Sequence, residues 1–191
     1  ITKGNNEIIK YLINKGKELI NITTKSGFTA LHFACLNTNF EIVKILIENG
    51  VDINAVDEHN NTPLSLAIGR QNIEIISFLL NNNCNINSGG EYFHKGFNRA
   101  CLTGNVEIVK VFKNYTKDIN EKDWDSYGAI HNAIITDSTE VVKYLIENNI
   151  DLHSKNEEGE EPLQMAERYE RKEIVKVIKA ALKEEKKKKK L

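Results

Sequence analysis

Histidine and cysteine are the residues of this sequence with the clearest claim to chemistry. There are five histidines and three cysteines. Imidazole titrates near neutral pH, so a catalytic reading would make His32 and His131 general acids or bases. His59, in Asp57-Glu58-His59, has neighbours that suit a metal ligand. A lone histidine in a polar stretch is not a ligand set, however. Cys35, Cys84 and Cys101 are an odd number of thiols at wide spacing, which gives neither a disulfide framework nor a zinc site. No Cys–His pairing recurs to support a nucleophile. Ser88-Gly89-Gly90 is a glycine turn and not a phosphate loop, because no GxxxxGK pattern follows it. No two carboxylates are placed as an acid and a base. These residues predict no catalysis, no metal and no cofactor.

The bulk composition narrows the remaining classes. The chain has 191 residues, 40% apolar and 28% charged, with a net charge of −1. That apolar share supports a substantial core. The neutral balance gives no bulk attraction to nucleic acid or to an anionic membrane. No apolar run approaches the roughly 20 residues that span a bilayer, and no secretory leader is expected from the first residues. A start at Ile1 is expected of an excised domain or a processed product. The wide cysteine spacing favours a reducing compartment, so a cytoplasmic location is expected. The lysine run at 186–190 keeps the nucleus open as a second location, against the plainer reading of a solvated tail.

These residues are positioned by a repeat. Ala34, Ala67, Ala100, Ala133 and Ala166 fall 33 residues apart. Three residues before each stands an apolar side chain: Leu31, Leu64, Phe97, Ile130 and Leu163. Seven after each stands a glutamate: Glu41, Glu74, Glu107, Glu140 and Glu173, each followed by an apolar pair. Each unit reads as two short antiparallel helices. Thr62 caps the first helix of the second unit, and Pro63 suits the next position, where no N–H is needed. The small Ala67 lets a neighbouring helix approach. Ile42, Val43, Leu46 and Ile47 form one face of a second helix, and Gly50 ends it. Residues 57–61 form a turn into the next unit. Cys35 and Cys101 directly follow repeated alanines, and all three cysteines read as small core fillers. Units of this kind bury their apolar faces only by stacking.

Gly27-Phe28-Thr29-Ala30-Leu31-His32-Phe33-Ala34 resembles the ankyrin repeat motif, as does the stretch from Glu41 to Asn54. The resemblance covers residues 4 to about 183. It implies an all-α solenoid of stacked helix-turn-helix units joined by hairpin loops. The expected division is a single domain over 1–185, with a partial repeat at 1–25, repeats at 26–58, 59–91, 92–124, 125–157 and 158–185, and a Lys-rich tail at 186–191. The resemblance makes His32 and His131 structural, bonding within and between hairpin and helix bases. It also makes Asn54 a possible target of asparagine hydroxylation, with a purely structural asparagine as the alternative. The unit 92–124 departs most from the motif. It lacks the cap and carries Asn98 in place of the histidine, which predicts a distorted or less stable first helix there.

Members of this family bind other proteins through hairpin tips and the exposed side of the first helices. Carried over by position, that role falls on Phe28, Leu36, His59, Arg70, Tyr92, Trp124, Asp125, Tyr127 and Ile135. Trp124, the sole tryptophan, stands where other units carry Lys25, Glu58, Glu91 and Glu157. An aromatic at such a position suggests a hot spot; packing against the neighbouring hairpin is the alternative. Tyr92, Trp124 and Tyr127, flanked by Asp123 and Asp125, are expected to form one patch for a partner that is basic or apolar at the contact. The resulting expectation is a monomeric, non-enzymatic scaffold or adaptor with a protein partner. A recruitment or autoregulatory module of a larger enzyme, channel or secreted effector is the alternative, which would place it in a host cytosol in the last case.

Overall fold

The computed structural model describes residues 11, 16, 20–89 and 95–189. The chain forms two compact units, residues 1–93 and 94–191. The first contains α1 (Ala30–Leu36), α2 (Phe40–Glu48), α3 (Pro63–Gly69) and α4 (Ile73–Asn81). The second contains α5 (Gly96–Leu102), α6 (Val106–Lys113), α7 (Ala129–Ile135), α8 (Thr139–Glu147), α9 (Pro162–Arg168) and α10 (Lys172–Lys188). No strand occurs among the described residues.

Helices of seven to nine residues do not persist alone in water. Here they persist by stacking. In the first unit α1 packs on α3 and α2 on α4. In the second, α7 lies between α5 and α9, while α8 lies between α6 and α10. The repeated alanines, Ala34, Ala67, Ala100, Ala133 and Ala166, are all buried in first helices, as the period predicts. Around them lie Leu31, Leu64, Phe97 and Ile130, with Val43, Ile76, Val109 and Val142 contributed by the second helices.

The first helices start with a shared device. The side chain at the third helical position turns back to accept the backbone N–H of the capping residue. His32 Nδ1 accepts from Thr29 (3.1 Å), Ser65 Oγ from Thr62 (2.9 Å), His131 Nδ1 from Gly128 (3.2 Å) and Gln164 Oε1 from Glu161 (2.9 Å). This is half of a capping box, and it occupies a donor that the helix leaves orphaned.

The divergent unit solves the same problem differently. The Lys95 N–H is accepted by Asp123 Oδ1 of the following hairpin, at 2.6 Å. Asn98 thereby keeps its amide for the carbonyls of Glu121 (3.1 Å) and Tyr127 (3.4 Å). The helix expected to be distorted is a regular seven-residue α5.

The C-terminal boundary differs from expectation. The tail expected from residue 186 is helical through Lys188 in α10, which has 17 residues. Lysine and glutamate are good helix formers, and cations suit a helix C-terminus. Lys187 also pairs with Glu184 one turn back, at 2.6 Å.

Gly50 has φ +81° and ends α2, as its position predicts. Gly89 is the more constrained glycine. It has φ +73°, and a Cβ there would collide with the Thr62 methyl and lie 2.9 Å from the Asn60 carbonyl oxygen. Thr62 is the buried cap of α3. Gly89→Ala should therefore lower stability by about 1–3 kcal/mol, combining backbone strain with displacement of a cap. A urea titration showing no shift of the midpoint would contradict this contact.

Candidate functional site

Three of the hairpins are each built on one buried polar residue. Asp57 Oδ1 accepts the N–H groups of His59 (2.9 Å) and Asn61 (2.7 Å), and the Asp57 N–H donates to the Asn61 carbonyl (3.0 Å). Asp123 and Asn156 occupy the equivalent sites, and their N–H groups donate to the carbonyls of Tyr127 (2.9 Å) and Glu160 (3.1 Å). Fixed bases of this kind hold the tips outward.

A second set of bonds ties successive units together. Asn21 Oδ1 accepts from Asp52 N, Asn54 Oδ1 from Asn85 N, and Asn120 Oδ1 from Asp151 N, at 2.8, 2.7 and 2.8 Å. Asn54 thus has a structural role in this ladder.

The groups that could do chemistry are committed to the same framework. His32 is fully buried, and its Nε2 donates to the Asn61 carbonyl of the next hairpin at 3.1 Å. His131 is also fully buried. Burial and the nearby Lys122 charge push its pKa down to about 4, against the weaker opposing pull of Ser154, Glu160 and Glu158. Its Nε2 makes no hydrogen bond of ordinary geometry. The cysteines are free and buried. Desolvation pushes Cys35 and Cys84 up to about 12, and Cys101 upward as well, so none is a thiolate near neutral pH. Among the described residues no group of three or more His, Cys, Asp or Glu could hold a metal ion.

In each unit, hairpin tips and first-helix faces reach solvent. In the first unit, Phe28 is half-buried against His32 (5.4 Å between ring centres) and Phe33 (5.2 Å). Leu36, also half-buried, ends α1. His59 is exposed on its tip, with Nε2 3.7 Å from Glu58, and Arg70 is exposed just after α3. Tyr92 lies outside the described residues.

In the second unit, one hairpin brings Trp124, Asp125 and Tyr127 together. Trp124 is 70% exposed, the most exposed large apolar side chain among the described residues. Tyr127 is half-buried. Its ring meets His131 edge-on at 5.8 Å, and its hydroxyl donates to Glu158 Oε2 at 2.9 Å. Burial and that carboxylate push its pKa up to about 12. Asp125 Oδ1 accepts the Tyr127 N–H at 3.2 Å. Ile135 is exposed at the far end of α7, about 9 Å further along the helix axis.

The expected flank of the patch needs a correction. Asp123 is only 5% exposed, because its carboxylate is drawn inward to Lys95 N–H, so it offers no surface charge. The spacing pattern also missed the carboxylates of the following tip, Glu157 and Glu158, which the Tyr127 hydroxyl bond brings beside this hairpin.

Stacked pairs of short helices, hairpins on buried polar bases and a tip surface carrying the variable residues define a helical repeat scaffold. The chain belongs to the ankyrin repeat family: the model for ankyrin repeats (3 copies) matches residues 1–90 and 97–189. A putative ankyrin repeat protein of fowlpox virus is 50% identical over 48 residues, 25% of this chain and 26% of the viral protein. Alpha-latrocrustotoxin-Lt1a of Latrodectus tredecimguttatus is 38% identical over 63 residues, 33% of this chain and 4% of the toxin. The match therefore spans about a quarter or less of these relatives' lengths. The fold is shared with a chain in the complex of a predatory endopeptidase from Bdellovibrio bacteriovorus with an immunity protein. That chain superposes with a TM-score of 0.81 and 22% identity, covering 94% of this chain and 98% of its own. No described helix is long and apolar enough to cross a membrane.

Proposed function

We propose that this chain is a monomeric protein-binding scaffold or adaptor that contacts its partner through hairpin tips and the exposed faces of the first helices. The observation that carries this reading is Trp124, 70% exposed on a hairpin tip whose equivalents are charged. An indole of that exposure adds little to the core, and aromatic residues of this kind dominate binding energy at interfaces. Phe28, Leu36, His59 and Arg70 form the contact set of the first unit, and Trp124, Asp125, Tyr127 and Ile135 that of the second. Tyr92 joins them by its repeat position. The framework role of the buried histidines and cysteines supports a binding function over a catalytic one. The three free thiols suit a reducing compartment such as the cytoplasm, and the lysines of α10 suit the nucleus as well.

A second reading makes the chain the recruitment module of a larger protein. The small share of the relatives' lengths that the matches cover, 26% and 4%, favours it. Both readings place the contact on the same surface.

Affinity capture with mass spectrometry, comparing the wild type with Trp124→Ala, tests the function. Partner binding should weaken by about 2 kcal/mol or more while the thermal midpoint stays nearly unchanged. If Trp124 instead packs for stability, the midpoint falls and binding is lost only together with folding. That pattern would reject the reading.

A further inference from the structure

We infer that the tips of the second unit receive a basic segment of the partner protein, with a cationic side chain over the Trp124 ring and its neighbours facing Asp125, Glu157 and Glu158. This rests on the protein-binding reading and specifies the chemistry of what is bound.

The two tips concerned are physically joined. The Tyr127 hydroxyl donates to Glu158 at 2.9 Å, and Lys122 Nζ donates to the Lys155 carbonyl at 2.7 Å. Residues 121–127 and 154–161 together hold seven carboxylates against two lysines. The equivalent stretches of the first unit, 22–28 and 55–62, hold two carboxylates against one lysine. Since the whole chain carries only −1, negative charge is concentrated on this one surface.

Part of that charge is already neutralised. Glu160 pairs with Arg168 at 2.7 Å, Glu121 pairs with Lys95 at 2.9 Å, and Asp123 is buried. Glu158 lies 4.0 Å from the same arginine, at the edge of pairing. Asp125 and Glu157 have no ion-pair partner among the described residues. One follows Trp124 in sequence, and the other is its repeat equivalent on the joined tip. An indole face attracts cations through its quadrupole, and adjacent carboxylates strengthen that attraction. The same charge repels phosphates, which disfavours nucleic acid at this surface.

Trp124 is the sole tryptophan, so its fluorescence reports on this surface directly. The probe is a deca-arginine peptide titrated into the full chain. A saturable change in emission is expected, with affinity falling about tenfold between 50 and 500 mM salt as exposed charges are screened. The double variant Asp125→Asn/Glu157→Gln should weaken binding about fivefold, as attraction at contact range predicts. The control Glu41→Gln/Glu74→Gln removes equal charge from the first unit and should leave affinity unchanged. Equal losses in both double variants would reduce the effect to net charge and overturn the proposal. So would the lack of a saturable change. If an uncharged leucine-rich peptide binds through Trp124 while deca-arginine does not, the basic chemistry fails and the protein-binding reading stands.

Discussion

Replacing Leu64 by alanine is expected to cost about 2–5 kcal/mol of stability, the range for opening a cavity in a packed core. Leu64 is 1% exposed in α3, inside a core that also holds Leu31, Ala67 and Ile76. Its methyl groups have no route to water and few neighbours free to collapse onto the gap. Leu182, near the end of α10, is only half-buried, so Leu182→Ala should cost about 1 kcal/mol or less. Stacked repeats contribute to stability as a sum of unit and interface energies. The two substitutions therefore compare a fully buried core position with a half-buried one near the end of a helix. Urea titrations of both variants decide the matter, and equal losses would contradict the difference in burial between the two positions.

Acidification should destabilise the second unit through His131. Its folded pKa of about 4 lies below the ordinary histidine value of about 6.5. A proton therefore binds the unfolded chain more readily than the folded one. The stability associated with the neutral ring is fully present above about pH 6.5 and is lost as pH falls through about 4. Between pH 7.5 and 4.5 the loss should reach about 2–3 kcal/mol. Carboxylates titrate in the same window, so the measurement must be differential. His131→Asn supplies the reference, because Asn98 already occupies the equivalent position in a regular helix. The wild type should lose about 2–3 kcal/mol more than this variant over the interval. Parallel pH profiles would show that burial of the ring carries no such cost.

The candidate surface was partly legible in the residues. Trp124 could be placed on a tip because its repeat equivalents, Lys25, Glu58 and Glu157, are all charged. That inference needs only the register. The same reasoning put Asp123 on the surface, and there it failed. Register fixes which residue stands at a hairpin base, not whether a backbone N–H 28 residues earlier lacks an acceptor. Tyr127 shows the same limit. Its half-burial and its bond to Glu158 depend on how closely two tips approach.

By itself the sequence determined the 33-residue period, the helical pairs, the alanines and leucines of the core and the position of each tip. It could do so because each unit repeats one local pattern of apolar spacing and capping, and stacking follows from the exposed apolar face that every unit shares. Tertiary structure decided the polar connections. The turn within each helix pair uses a left-handed residue at Thr38, Gln71, Gly104, Asp137 and Glu170, and only one of these is a glycine. Nothing in threonine or glutamate announces that conformation. Likewise Asn98 takes over the histidine's bond to the following hairpin, and Asn21, Asn54 and Asn120 link one repeat to the next, only because a partner backbone lies within 3.4 Å. Apolar burial tolerates small displacements and survives as a pattern in the chain. A hydrogen bond depends on distance and angle to atoms about 30 residues away, and those are fixed only when the units have packed.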